Sequence, residues 1–335
     1  MSHQGELNVA PAGLSLSGNP EEELGSSKLA AFERGQYKKQ RSLWNNAFRQ
    51  FRRHKLAMAG LFIFCFFVLA VLIGPAIYPE EIDEIDFMNT SAGFTWAHPL
   101  GTDSLGQDIL ARILYGGRIS LAVGVTAAFV AIMLGTVVGA VSGFFGGATD
   151  GVLMRITDLF ISLPQVPLLL LITFLFKDSL VELFDRKFDN GNLGVFVLIV
   201  LVISILSWMP TARLVRASFL SLKEKEFIEA ARAIGATRNA LMFKHILPNV
   251  LSPIIVAATL AVGASIITES VLSFLGLGFP SDVPTWGRML FDAKDYIQFH
   301  PHEAMIPGMA IFLTVLSINY IGDGLRDALD PRKSQ

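Results

Sequence analysis

Beyond residue 56 the sequence alternates long apolar runs with shorter polar stretches, and the length of each run decides what it predicts. Mainly apolar runs of roughly 18 to 26 residues fall near residues 57 to 78, 119 to 142, 154 to 176, 193 to 212, 250 to 275 and 304 to 322. A helix of about 20 residues crosses the hydrocarbon core of a bilayer, so the pattern predicts an all-α integral membrane protein with six transmembrane helices. An even number of crossings puts both ends of the chain on one side.

The polar stretches divide the chain further. Residues 1–33 are rich in Gly, Ser, Pro, Ala and Glu without a sustained apolar period, and are expected to form a disordered tail. Residues 34–79 read as a basic interfacial helix, with Leu43, Trp44, Phe48 and Phe51 near helical spacing, followed by the first transmembrane helix. Residues 80–118 read as a loop on the far side with a short interfacial helix. Thr102, Asp103 or Ser104 would cap that helix, and Ile109, Leu110, Ile113 and Leu114 would form its apolar edge before Gly116 and Gly117. It is either a lid on the bundle or a contact for a solute-binding protein. Residues 119–325 form a core of five spans that includes a loop at 213–249, and residues 326–335 a C-terminal tail. Gly135, Gly139 and Gly143 recur every fourth residue and make a smooth helix face, for packing within the chain or against another subunit.

Composition agrees with the pattern: of 335 residues, 52% are hydrophobic and 17% charged, and the mean hydropathy is +0.51. The formal net charge of −2 gives no case for nucleic-acid binding. Its distribution is more informative. Twenty of the 27 Lys and Arg residues fall on the side that holds both ends and the 213–249 loop, and seven on the other. The positive-inside rule then makes the first side cytoplasmic, N-in and C-in. The first apolar run begins too late for a cleaved secretory signal and is expected to remain as an anchor. The single cysteine, Cys65, lies within that run, forms no intrachain disulfide, and reads as filler.

Candidate chemistry concentrates in "EFIEAARAIGATRNALMFKHILPN", which begins at Glu226. Phe227, Ile228, Ala231 and Ile234 share one helical face while Glu226, Glu229 and Arg232 turn elsewhere, as in an amphipathic helix. Gly235 ends that helix, Thr237 caps a second one carrying Leu241 and Met242, and Pro248 punctuates the start of the fifth span. Ala230 and Ala231 would admit a partner closely and Glu229 would offer it a carboxylate; a solvated interfacial loop is the alternative. Glu269 and Asp158 are ionisable groups at apparent membrane depth, suited to a solute pathway or to pairing between helices, and Asn319 invites the same two readings. His300 to Glu303, "HPHE", lacks helical two-histidine spacing, so no metal site is expected. No Gly-rich phosphate loop ends in Lys-Ser or Lys-Thr, and no pair of catalytic groups recurs within the spans, so neither ATP binding nor catalysis is assigned to this chain.

The pattern Glu229-Ala230-Ala231, three residues, Gly235, nine residues and "HILP" resembles the "EAA" loop of permease subunits of bacterial ATP-binding-cassette importers, with His245 where many members have isoleucine. "RRHKLAMAGLFIF", "HPLGTDSLGQDILARILYGGRISL" and "SVLSFLGLGFP" with "PTWGRML" and "GDGLRDALDPR" resemble the C-type permeases for dipeptides, oligopeptides and nickel, from about Arg52 to Arg332. Gln107 departs from that pattern, in which a basic residue is commoner. The resemblance implies a type I importer permease fold in a bacterial inner membrane. It also implies a coupling loop in which Glu229, Ala230, Ala231, Gly235, Leu247 and Pro248 meet an ATPase. The implied partners are a second related permease, two ATPase subunits or domains that bind the ATP and Mg, and an extracytoplasmic solute-binding protein. This chain would bind no cofactor itself. The implied cargo is a dipeptide or oligopeptide, or alternatively nickel or another small solute. A secondary transporter or channel is the rival class, but no convincing inverted repeat is present.

Overall fold

A computed structural model describes residues 43–329; the tail expected at 1–33, the start of the basic segment and the C-terminus from residue 330 lie outside the described residues. The described chain is helical, with no strand beyond one isolated bridge between Thr102 and Asp108. A short helix α1 (Leu43–Arg53) leads to α2 (Lys55–Ile77), an apolar span whose His54 Nδ1 accepts from the Ala57 backbone N–H at 3.1 Å. Its Phe62, Phe66 and Leu69 are exposed on the outer surface, which costs nothing where the solvent is hydrocarbon.

The central helix α3 (Ile109–Phe145) runs for 37 residues. Asp108 caps it, its Oδ1 accepting from Ala111 N–H at 2.7 Å. The separate interfacial helix expected after Thr102 is therefore the first turns of this long one. Gly116 and Gly117 do not end it; they let it be approached. A methyl group on Gly116 would come within 1.6 Å of the Pro284 carbonyl oxygen. The Gly135, Gly139 and Gly143 face packs within the chain, because added methyl groups there would lie 2.4 to 2.7 Å from Trp208, Ala212 and Phe219 of the helix alongside.

Two expected spans are broken. The third consists of α4 (Gly147–Ser162) and α5 (Gln165–Phe188), which meet at 88°. Leu163 is extended because it precedes Pro164, and that residue pair ends the helix. The fourth consists of α6 (Gly191–Ile205) and α7 (Met209–Lys223), bent by 45°, with Pro210 in the first turn of α7. Then come α8 (Glu226–Ala233), a turn α9 (Arg238–Ala240) that continues through π-helical Leu241–Ile246, α10 (Leu247–Phe274), α11 (Trp286–Ala293) and α12 (Pro301–Leu329). Four helices are each long and apolar enough to cross a membrane, and six spans result when each bent pair counts as one.

Helix α7 runs parallel to α3, while α10 runs against α3 and α12 against α10, as the pairing of Gly124 with Ile266 and of Gly322 with Leu260 requires. The N-terminus of α2, the C-termini of α3, α7 and α12, and the segment around α8 thus gather on one face. Gln50 Nε2 donates to the Asp327 carbonyl there at 2.8 Å. Residues 78–108 and 275–300 occupy the opposite face.

Candidate functional site

The segment singled out by its amphipathic pattern forms a fixed corner. Helix α8 buries Ile228 (0% exposed) and Ala231 against Val215, Phe219, Leu241 and Ile246, so its apolar side roots it in the bundle. Ala231 is therefore not available to a partner, whereas Ala230 and Glu229 are exposed. Phe227 and Ile234, grouped by periodicity with the buried pair, stand outside; Ile234 is 87% exposed. Gly235 takes φ +88°, and beyond it Ala236 N–H returns to Ala231 O and Gly235 N–H to Arg232 O, both at 3.0 Å. This double bond pattern is a Schellman stop. Thr237 Oγ1 then accepts from Ala240 N–H at 3.3 Å.

The second helix after the corner is not a separate element. It widens at Leu241–Ile246 and continues as α10, the bond from Leu247 N–H reaching back to Met242 O. Pro248 has no N–H to offer Lys244, and the wider turn just before it accommodates that gap. Leu247 is partly buried and Pro248 exposed. The expected loop at 213–249 narrows accordingly. Arg213 to Lys223 belong to α7, whose Arg216 grips Asp150 of α4 through two bonds of 2.5 and 2.6 Å.

The ionisable residues placed at membrane depth fall in different settings. Glu269 is fully buried; its Oε1 accepts from Ser273 at 2.8 Å and its Oε2 faces Ser120 at 3.4 Å. Ser120 Oγ also accepts from the Trp286 N–H at 3.2 Å, and Trp286 Nε1 donates to Ile113 O at 3.1 Å. Glu269 thereby ties α10 to α3 and to the start of α11. Asp158 is half exposed and pairs with Arg213 of α7 at 2.5 Å. Asn319 is exposed on α12, next to Gly263 of α10.

Residues 135–335 match the family described as binding-protein-dependent transport system inner membrane component. The chain belongs to that family. Residues 42–94 match a second family, the N-terminal TM domain of oligopeptide transport permease C. Among curated relatives, the oligopeptide transport system permease protein OppC of Haemophilus influenzae is 40% identical over 294 residues, 87% of this chain and 89% of the relative. The dipeptide transport system permease protein DppC of Alkalihalophilus pseudofirmus is 39% identical over 291 residues, 87% and 90% of the two chains. The glutathione transport system permease protein GsiD of Pectobacterium atrosepticum is 38% identical over 293 residues, 87% and 92%. The chain is a multi-pass inner-membrane permease of a transport system and not an enzyme.

The permease closes its opposite face with a polar knot around Arg112. Asp103 does not cap a helix; its Oδ1 accepts from Leu105 and Gln107 N–H at 2.9 Å and shapes the turn before α3. Arg112, 2% exposed, lies 3.7 Å from Asp103 and 3.5 Å from Asp292 of α11 and donates to the Gln107 side chain. Burial holds the Asp103 carboxyl above its ordinary range, and the Arg112 guanidinium opposes that shift. A basic residue at 107 would set a second cation against Arg112, so the glutamine suits this arrangement. Helix α11 was not expected from the apolar runs, being too short to span. Its cue is the spacing of Trp286, Met289 and Ala293, all buried, behind Thr285, which accepts from Arg288 N–H at 3.2 Å.

Proposed function

We propose that this permease moves short peptides inward as half of a pathway formed with a second, related permease subunit, driven by two ATPase subunits or domains that bind the ATP and Mg. An extracytoplasmic solute-binding protein would deliver the cargo. The names of the relatives support a peptide cargo, glutathione being itself a short peptide. The observation that carries the coupling role is the α8 corner. Its inner side is anchored by Ile228 and Ala231, and its outer side presents Phe227, Glu229, Ala230 and Ile234 to whatever docks there. A rooted corner transmits a push to α7 and α10 where a loose loop would absorb it. ATP-driven closure of the ATPases would then tilt the spans between inward-open and outward-open arrangements, a rigid-body switch. The corner's face is the cytoplasmic one, N-in and C-in, in keeping with the twenty-to-seven distribution of Lys and Arg.

The experiment is Glu229→Lys in the intact transport system. A charge reversal at a central interface position costs about 2 to 4 kcal/mol of binding. The variant is expected to insert normally, yet to release the ATPase or leave hydrolysis unresponsive to the loaded binding protein. Wild-type ATPase binding with stimulated hydrolysis would refute the docking role. The cargo is tested separately: deleting the gene should abolish sensitivity to a toxic peptide analogue and leave nickel-dependent growth unchanged.

A further inference from the structure

We propose that the cavity between the two helix breaks is the solute chamber of this chain, and that it holds a short peptide by its main-chain amides. The inference rests on the peptide reading above and names the site for it. The cavity measures about 560 Å³, within the roughly 300 to 1,000 Å³ usual for small-molecule sites. Its depth follows from α10, whose residues 257 to 268 line it near the middle of a 28-residue helix.

The remaining walls come from the two breaks and the helix turns beside them, with Leu163 and Gln165 at the first and Leu206, Ser207, Met209 and Pro210 at the second. Where a helical ladder lapses, main-chain groups lose their partners, and irregular backbone at membrane depth is tolerated where it lines a cavity. The Leu206 carbonyl is met only by Gln165 Nε2, at a long 3.5 Å. Thr211 and Ser265 also face the cavity; they are 6% and 3% exposed, and their hydroxyls have no hydrogen-bond partner among the described residues. Neither hydroxyl is among the fully enclosed unpaired polar atoms of the described residues, so both keep access to the cavity and are open to a ligand.

None of the lining residues is charged. Glu269, Asp158 and Asn319 are not among them. Hydroxyls and a carboxamide can meet the N–H and C=O groups common to every peptide, and they neither select nor repel a charged side chain. The chamber therefore reads peptide length and backbone rather than sequence.

Thr211→Val and Ser265→Ala remove the two hydroxyls with little change of shape. In cells carrying the intact transport system, uptake of radiolabelled trialanine by the double variant should fall about tenfold at unchanged membrane levels. Hydrolysis stimulated by loaded binding protein should persist in vesicles. In a Cys65→Ser background, trialanine turnover should slow thiol labelling of Ala264→Cys at the cavity wall. Unchanged uptake by the double variant, or labelling that trialanine does not alter, overturns the chamber. Wild-type cells that take up no trialanine overturn the peptide reading itself, and the amide-binding assignment with it.

Discussion

Gly235 separates backbone strain from steric fit. At φ +88° it lies in the left-handed region, yet an added Cβ would meet nothing within 4 Å, so any cost of substitution is conformational alone. Asparagine tolerates that region and valine does not. Gly235→Asn should keep binding-protein-stimulated hydrolysis near wild type, whereas Gly235→Val should lose it at normal membrane levels; equal activity of the two would show that the corner need not hold its shape. The glycine was legible from sequence because only a backbone role explains it between two helical patterns. The facing of Ala230 and Ala231 was not. Periodicity groups Ala231 with Phe227 and Ile234, but the core draws in only Ile228 and Ala231 and leaves the other two outside. Glu269 illustrates the same limit: its buried depth could be read, but its hydroxyl partners come from Ser273 four residues on and Ser120 on a distant segment.

Among elements, the apolar runs fall on the four long helices and the two bent pairs but do not reveal the breaks, because each run stays apolar enough overall to read as one span across Pro164 or Leu206 to Trp208. The 88° turn parts α4 from α5, and α4 is held to α7 by Arg216 to Asp150 and Arg213 to Asp158. These pairs are not equivalent. Asp150 receives two guanidinium bonds and a further one from Ser142, while Asp158 and Arg213 are 60% and 51% exposed and share one bond. Exposed single pairs contribute at most about 1 kcal/mol. Asp150→Asn should therefore lower the thermal midpoint of the detergent-purified transporter more than Asp158→Asn does, and the reverse order would show that the outer pair carries the brace. The same geometry governs the choice of a neutral control for the coupling experiments. Lys223 donates to the Phe144 carbonyl at 2.8 Å and lies over the Phe144 ring, so Lys223→Ala removes a bond between α3 and α7. Lys225, exposed and without a side-chain cap bond, is the better control.

At the scale of the whole molecule, the helix directions fix which ends share a face, and the charge distribution bears on which side that face takes. The helix directions bring the start of α2 and the end of α12 to the face that carries α8, as an even number of crossings requires. The excess of Lys and Arg on that face supports the proposal that it is the cytoplasmic one. Accessible cysteines in a Cys65→Ser background test the result, and the structure decides where they belong. Thr102 is unsuitable despite its loop position, because it is 0% exposed and bonded to Ala92 N–H and Asn89 O. Trp96, fully exposed, and Ser281 report the opposite face, and Thr237 reports the face that carries α8. In intact cells an impermeant thiol reagent should modify Trp96→Cys and Ser281→Cys and spare Thr237→Cys, which should react only after the membrane is opened. Labelling of Thr237→Cys from outside would reverse the orientation, place α8 beyond the reach of any cytoplasmic ATPase, and remove the coupling role with it.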